Sequence, residues 1–204
     1  MLFLTILFSI TPAKAAFSSF VLPGSGDWLM GDKGRGVCFM MAEAAIWLSY
    51  FNNKAQGEKN DEISRNFAAY YASANLNNQD EDYFDAMEAF LTNMDYNENV
   101  KEEARRMYPD TLDSAVMLER IEARKRYIEE NSYTGSDAWD WKSLEIENQY
   151  RDIRKEKRSF EQMATNMVGL ALANRVVSLF TTYLFGKRVS VEIKENEIEM
   201  GYNF

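Results

Sequence analysis

The chain has 204 residues, 46% of them hydrophobic and 27% charged, and carries 32 Asp+Glu against 23 Lys+Arg for a formal net charge of −9. This is enough chain and apolar surface for an ordinary domain with a sizeable core, and it excludes a largely disordered polymer. Histidine is absent and Cys38 is the single cysteine. Ser–His–Asp catalysis, Cys–His catalysis and an intramolecular disulfide are therefore excluded, and the acidic balance works against a nucleic-acid partner.

The first fifteen residues, MLFLTILFSITPAKA, place an apolar stretch at Leu2–Ile10 before a breaker at Pro12 and the small-x-small triplet Ala13-Lys14-Ala15. No positive charge precedes the apolar stretch, yet the pattern is that of a signal peptide over 1–15 with the mature chain from Ala16. No cysteine stands at the cleavage point, so anchoring through a lipid-modified cysteine is not indicated.

LPGSGDWLMGDKGRG, residues 22–36, holds five glycines and raises the question of a phosphate loop. After Gly24 and Gly26 a dinucleotide fingerprint requires glycine at 29, but the next is Gly31. Gly26 and Gly31 fit a Walker spacing, but Asp32 stands where lysine belongs. The stretch therefore predicts a tight turn built on Pro23, Gly24, Gly26, Gly31 and Gly36 that feeds an apolar helix. Trp28, Leu29 and Met30 supply an amphipathic surface, with Lys33 and Arg35 at the helix start, as an aqueous–lipid boundary favours.

The order Leu-Pro-Gly-x-Gly, Gly31, a basic residue, Gly36 and an apolar helix containing Glu43 resembles an uncharacterised bacterial envelope family, a domain of unknown function. That family is similar to small two-helix membrane hairpin domains opening on a P-G-x-G-Q-x-Y-x-G turn. Asp27 stands where glutamine is usual and Leu29 where tyrosine is usual. RRMYPD (105–110), SDAWDW (136–141), YRDIRKEKRS (150–159) and ALANRVVS (171–178) extend the resemblance over most of the mature chain. It implies membrane association and no catalytic residues.

Farther along, Val37–Phe51 is the first apolar segment. Residues 55–162 form an acidic lobe with helices expected over 60–75, 80–94, 100–107 and from about 111 to 131. In the second of these, Phe84, Met87, Phe90, Leu91 and Met94 share a face. Asp80-Glu81-Asp82 reads as a helix cap and lacks the spacing of a calcium loop. SYTGSDAWDW (132–141) reads as a loop, in which Trp139 and Trp141 either anchor the loop to the lobe or form a contact surface. RKEKR (154–158) is placed to touch lipid headgroups or to pair with Glu156 and Glu161. One long helix is expected over about 143–185, charged in its first half and apolar from Met163. The tail, 187–204, alternates apolar residues and predicts a short β-hairpin.

Glu43 and Arg175 lie near the middle of their apolar segments, where an unpaired charge in a bilayer costs roughly 2.5–3.5 kcal/mol on insertion scales. They are the candidate ion pair, with Asn174 and Ser178 as hydrogen-bonding candidates and Gly169 and Ala173 as the site of close helix approach. Cys38, in the apolar run, is expected as a small buried hydrophobe.

The sequence thus predicts a mainly α fold in a single domain, 16–204. It comprises the turn and first apolar helix (22–51), the acidic lobe (55–162), the second apolar helix (163–186) and the β tail. The apolar pair forms a helical hairpin, in a membrane or as a soluble core. The expected function is a non-catalytic structural or scaffolding role at a membrane of the cell envelope. Its partners would be membrane lipid and another envelope protein or a second copy, with no cofactor, metal or nucleic acid. The alternatives are a transport or channel accessory using the Glu–Arg pair and a carboxylate-dependent hydrolase of envelope polymers. Export predicts that N-terminal sequencing of the mature chain begins at Ala16.

Overall fold

A computed structural model describes the backbone of residues 11–201 and the side chains of residues 11–188. The apolar stretch Leu2–Ile10 and the final Tyr202–Phe204 lie outside the described residues. Seven α-helices follow in chain order: α1 (Pro12–Val21), α2 (Ser25–Leu29), α3 (Lys33–Ala72), α4 (Glu81–Ala89), α5 (Asn93–Met107), α6 (Ser114–Asn131) and α7 (Leu144–Gly201). A 3₁₀ turn, Gly135–Asp137, precedes α7.

The helix starts follow capping chemistry. Thr11, Asp80, Thr92 and Asp113 each accept a hydrogen bond from the backbone of the first turn that follows, satisfying N–H groups that have no intrahelical partner. Asp80-Glu81-Asp82 is accordingly a helix start. α3 ends on Ser73, whose φ is +61°, and Ala74 N–H donates back to the Ala68 carbonyl at 3.2 Å. This is a left-handed termination with serine in the position that glycine usually takes. Pro109 follows the end of α5.

The chain divides into two compact units. One holds residues up to Ala55 and from Phe160 on, and the other spans Gln56–Ser159. The second unit lies within three residues of the acidic lobe read from the sequence at either end. Its core gathers Ala68 and Ala72 of α3, Tyr83, Phe84 and Met87 of α4, Trp139 and Trp141 of the loop, and Tyr150 of α7. Rings meet edge-on, as at Tyr83–Trp139, with centroids 5.6 Å apart, the arrangement that aromatic quadrupoles favour.

Side chains also complete the end of α4. Trp141 Nε1 donates to the Met87 carbonyl at 2.8 Å, Arg151 to the Glu88 carbonyl at 3.1 Å and Trp139 Nε1 to the Phe90 carbonyl at 3.0 Å. These are carbonyls that a helix terminus leaves without intrahelical donors. Asp140 N–H does the same for Ala72 at the end of α3.

Beside this core lies a charge network. Arg154, 2% exposed, donates to Glu81, Asp85 and Glu88. Lys157 reaches Asp61 at 2.7 Å and Glu81 at 3.0 Å. Arg158 grips Glu88 through two nitrogens, at 2.7 and 2.6 Å, and Arg65 links Asp61 to Glu81. Four cations thus face four carboxylates, so the charge of buried Arg154 is compensated by neighbouring acids.

Several expectations change. The segments 37–51 and 60–75 are one continuous helix, α3. Helix 80–94 stops at Ala89, so Met94 belongs to α5 and is exposed. Among the described residues there is no strand, and the tail from Lys187 to Gly201 continues α7. Its glutamates and lysine are good helix formers, and extending an existing helix needs no new nucleus. Three cations of the RKEKR segment find partners on other helices. Arg154, Lys157 and Arg158 are drawn to acids on α3 and α4.

Burial works against ionisation of Asp61, Glu81 and Glu88, but bonds from Lys157, Arg65, Arg158 and Arg154 outweigh it. All three carboxyls sit below their ordinary values of 3.8, 4.5 and 4.5. A carboxyl whose folded value is depressed contributes stability above its unfolded value and loses it as pH falls through the folded one. The near-ultraviolet circular dichroism of Trp139 and Trp141 is therefore expected to stay flat from neutrality to about pH 5 and to collapse below about pH 4. A signal already lost near neutrality would contradict the network.

Candidate functional site

The first unit is built on the glycine-rich turn. Gly24 has φ +83°, and a Cβ there would sit 2.1 Å from the Gly36 carbonyl oxygen. A Cβ on Gly26 would sit 1.9 Å from the Ala15 oxygen, and one on Gly36 would sit 2.7 Å from the Gly24 oxygen. The backbones of α1, α2 and α3 thus cross at a distance only glycine permits. Gly31, at φ +94° with open space around it, serves the turn alone.

Hydroxyls hold this crossing to α7. Gly24 N–H donates to Ser178 Oγ at 2.8 Å and Gly26 N–H to Ser19 Oγ at 2.9 Å, while Ser19 and Thr182 hydroxyls meet at 2.8 Å. Pro12 and Met30 lie against Gly186. Ser18 bonds Ser25 at 2.7 Å, bridging α1 and α2. Asp27, fully buried, takes Arg35 through Nε at 2.9 Å and Nη2 at 2.6 Å.

One turn past Phe39, α3 presents Glu43 to α7. Arg175 donates to Glu43 Oε1 through Nε at 3.1 Å and Nη2 at 2.9 Å. Asn174 donates to Oε2 at 3.0 Å and to the Phe39 carbonyl at 3.3 Å. Trp47 Nε1 adds a bond to Oε1 at 3.0 Å. Glu43, Arg175 and Asn174 are therefore brought together as the sequence suggested, and Trp47 is a fourth member that it did not single out. Its position four residues after Glu43, on the same helix face, was the available signal.

Other candidates land elsewhere. Ser178 serves Gly24 rather than Glu43. Gly169 has nothing within 4 Å and Ala173 is exposed, so close approach occurs instead at Gly24, Gly26, Gly36 and Gly186. Trp139 and Trp141 are 2% and 3% exposed. They are core anchors and cannot form a contact surface. Cys38 is exposed rather than buried.

The second unit buries large aromatic side chains, whereas in this unit the buried side chains are small or polar. Ser19, Asp27, Glu43, Ser178 and Thr182 are buried, while Phe17, Met41, Leu48, Leu172, Phe180 and Leu184 are each more than half exposed. Small residues line the buried face of α7 at Ala164, Ala171 and Ser178, seven apart, the repeat of a left-handed helix seam. Helix Leu144–Arg188 contains a stretch long and apolar enough to cross a membrane, and only 17% of that stretch is buried. It is the one such stretch among the described residues; the apolar part of α3 does not qualify.

The described residues hold no cluster of three metal-ligating side chains. Asp61, Glu81 and Glu88 of the second unit's network, exposed or half-buried, have lowered carboxyl pKa values, opposite to the need of a general acid. In comparison with known proteins, the chain matches no family model, no curated protein and no solved structure.

The crossing predicts a graded glycine series in denaturant unfolding. Gly24→Ala and Gly26→Ala should each cost at least about 1–3 kcal/mol, because backbone must move to admit the methyl. Gly31→Ala should cost about 1–2 kcal/mol from its left-handed φ alone. Gly169→Ala, in open helix, should gain up to about 1 kcal/mol. Equal effects at all four positions would refute the close crossing.

Proposed function

We propose that this protein is a non-catalytic membrane component of the bacterial cell envelope, in which the first unit is embedded in lipid and the second offers a water-facing helical surface for docking. The observation that carries this reading is the inverted polarity of the first unit. Water would solvate Ser19, Asp27, Glu43 and Thr182 and leave Phe17, Leu48, Phe180 and Leu184 to be covered, whereas lipid reverses both preferences.

The dimensions agree with a bilayer. Arg35 and Tyr50 of α3 lie about 22 Å apart along the helix and Met163 and Phe185 of α7 about 33 Å apart, around a hydrocarbon thickness of about 30 Å. Trp28 with Lys33 marks one end, where the ammonium lies 5.8 Å from the ring. Trp47, Tyr50 and Phe51 pack together toward the other, as interfacial aromatics do. α1, only about 15 Å long, dips in and returns through the Pro23–Gly24 turn. Both oxygens of Glu43 are engaged, which favours a structural pair that sets helix register over a proton relay.

Docking rests on the second unit's α6. It buries none of its own residues and exposes Val116, Leu118 and Ile121, a surface suited to another envelope protein or a second copy. The resemblance to membrane hairpin families belongs to the same proposal, as does export. Cleavage after Ala15 would cut α1 and remove the Ala15 carbonyl packed on Gly26, so in this reading α1 is retained in the folded chain.

Alkaline-carbonate extraction of separated membranes tests the reading. The chain should remain in the pellet, and release into the supernatant would overturn lipid embedding. Replacing Glu43 and Arg175 together by leucine should preserve pellet retention and assembly, while Glu43→Leu alone should lower the amount of folded chain by leaving Arg175 unpaired. Loss of an ion or proton flux in the double variant, with assembly intact, would favour the transport alternative.

A further inference from the structure

At the basic end of the first unit, a cavity of about 450 Å³ is lined by Arg35, Thr181, Leu184, Phe185, Lys187 and Arg188. Three cations in one cavity are unusual in a chain of net charge −9. Arg35 is held in place: Asp27 fixes its Nε and Nη2, and its guanidinium carbon lies 4.3 Å from the Phe185 ring centroid. Its Nη1 makes no bond among the described residues. The Lys187 ammonium rests 4.8 Å from the Tyr183 ring centroid. Neither Lys187 nor Arg188 makes an ion pair among the described residues, and both are exposed.

Charge alone would suit any small anion, but of the three remaining lining residues Leu184 and Phe185 are apolar, the third being Thr181. Leu184 and Phe180, 61% and 59% exposed, continue from the cavity along α7. A guest with an anionic head and a hydrocarbon tail satisfies both parts: the head would meet a pre-fixed guanidinium and two further cations, and the tail would follow the exposed face of α7. Asp27 and Asp32 both pair with Arg35, and with Lys33 close by in the chain these four charges cancel. Two positive charges therefore remain, sufficient for one phosphodiester.

We propose that this cavity binds the phosphodiester headgroup of an anionic membrane lipid, with Arg35, Lys187 and Arg188 as the phosphate contacts and Leu184 and Phe185 against the first part of the chain. The inference rests on the membrane reading and goes beyond it. It names a lipid class and a position, where the membrane reading needs only hydrocarbon.

The test uses the full chain in lipid nanodiscs containing equal amounts of phosphatidylglycerol and phosphatidylcholine, released and weighed by native mass spectrometry. Retained phosphatidylglycerol should exceed phosphatidylcholine by about fivefold or more, since each Lys or Arg near an anionic lipid contributes about that factor. Lys187→Gln/Arg188→Gln should abolish the excess with helix content unchanged by circular dichroism, and Lys187→Arg should retain it. Equal retention of the two lipids, or an excess that survives in the double variant, overturns the inference while leaving the membrane reading intact. Inorganic phosphate that removes the excess assigns the cavity to a free anion and overturns the lipid assignment. Failure to enter discs of either lipid overturns the membrane reading itself.

Discussion

Everything in the first unit depends on how closely two stretches of main chain pass each other. Gly24 and Gly36 touch with no room for a side chain on either, and Gly26 is pressed against Ala15 in the same way. Backbone brought this near to backbone must satisfy its polar groups locally, and the hydroxyls of Ser19 and Ser178 do so, with the Thr182 hydroxyl meeting that of Ser19. Because those hydroxyls sit on α1 and α7, the glycine crossing also sets where α7 passes the turn. Seven residues farther along α3 from Gly36, Glu43 then comes within reach of Arg175 and Asn174.

That arrangement explains why polar groups are inside and apolar groups outside. Helices that approach through small residues have little apolar side chain between them, so their larger apolar residues face away. In water this would be a poor fold, since the exposed phenylalanines and leucines gain nothing. In hydrocarbon, packing of small residues and internal hydrogen bonds are the available sources of association. The proposed membrane setting is one in which these same contacts supply the association between helices.

The second unit obeys the opposite rule with the same economy of means. Trp139 and Trp141 fill the core and also donate to carbonyls at the end of α4, so one short loop supplies both burial and hydrogen bonds. Arg154 could not be buried without Glu81, Asp85 and Glu88 around it, and those acids would repel one another without Arg154, Lys157 and Arg158.

The sequence by itself determined the features that are local or that admit a single partner. Helical periodicity, the helix cap at Asp80 and the glycine turn were legible because each depends on neighbours within a few residues. The Glu43–Arg175 pair was legible because two opposite charges in otherwise apolar segments have no other low-energy arrangement. Tertiary structure decided the rest. Gly57 did not break α3, since packing along a long helix outweighs the modest propensity cost of one glycine. Gly169 proved idle and Gly36 indispensable, though both are glycines in apolar helices; only the position of a neighbouring backbone separates them. The tail alternated like a strand yet continued α7, because a strand needs a partner edge while a helix satisfies its own hydrogen bonds. Arg154, one of several cations on α7, was drawn into the core by acids on α4, about seventy residues earlier in the chain. Sequence spacing carries no record of such a meeting, because the energy of a charge pair depends on distance through space and on the water removed around it.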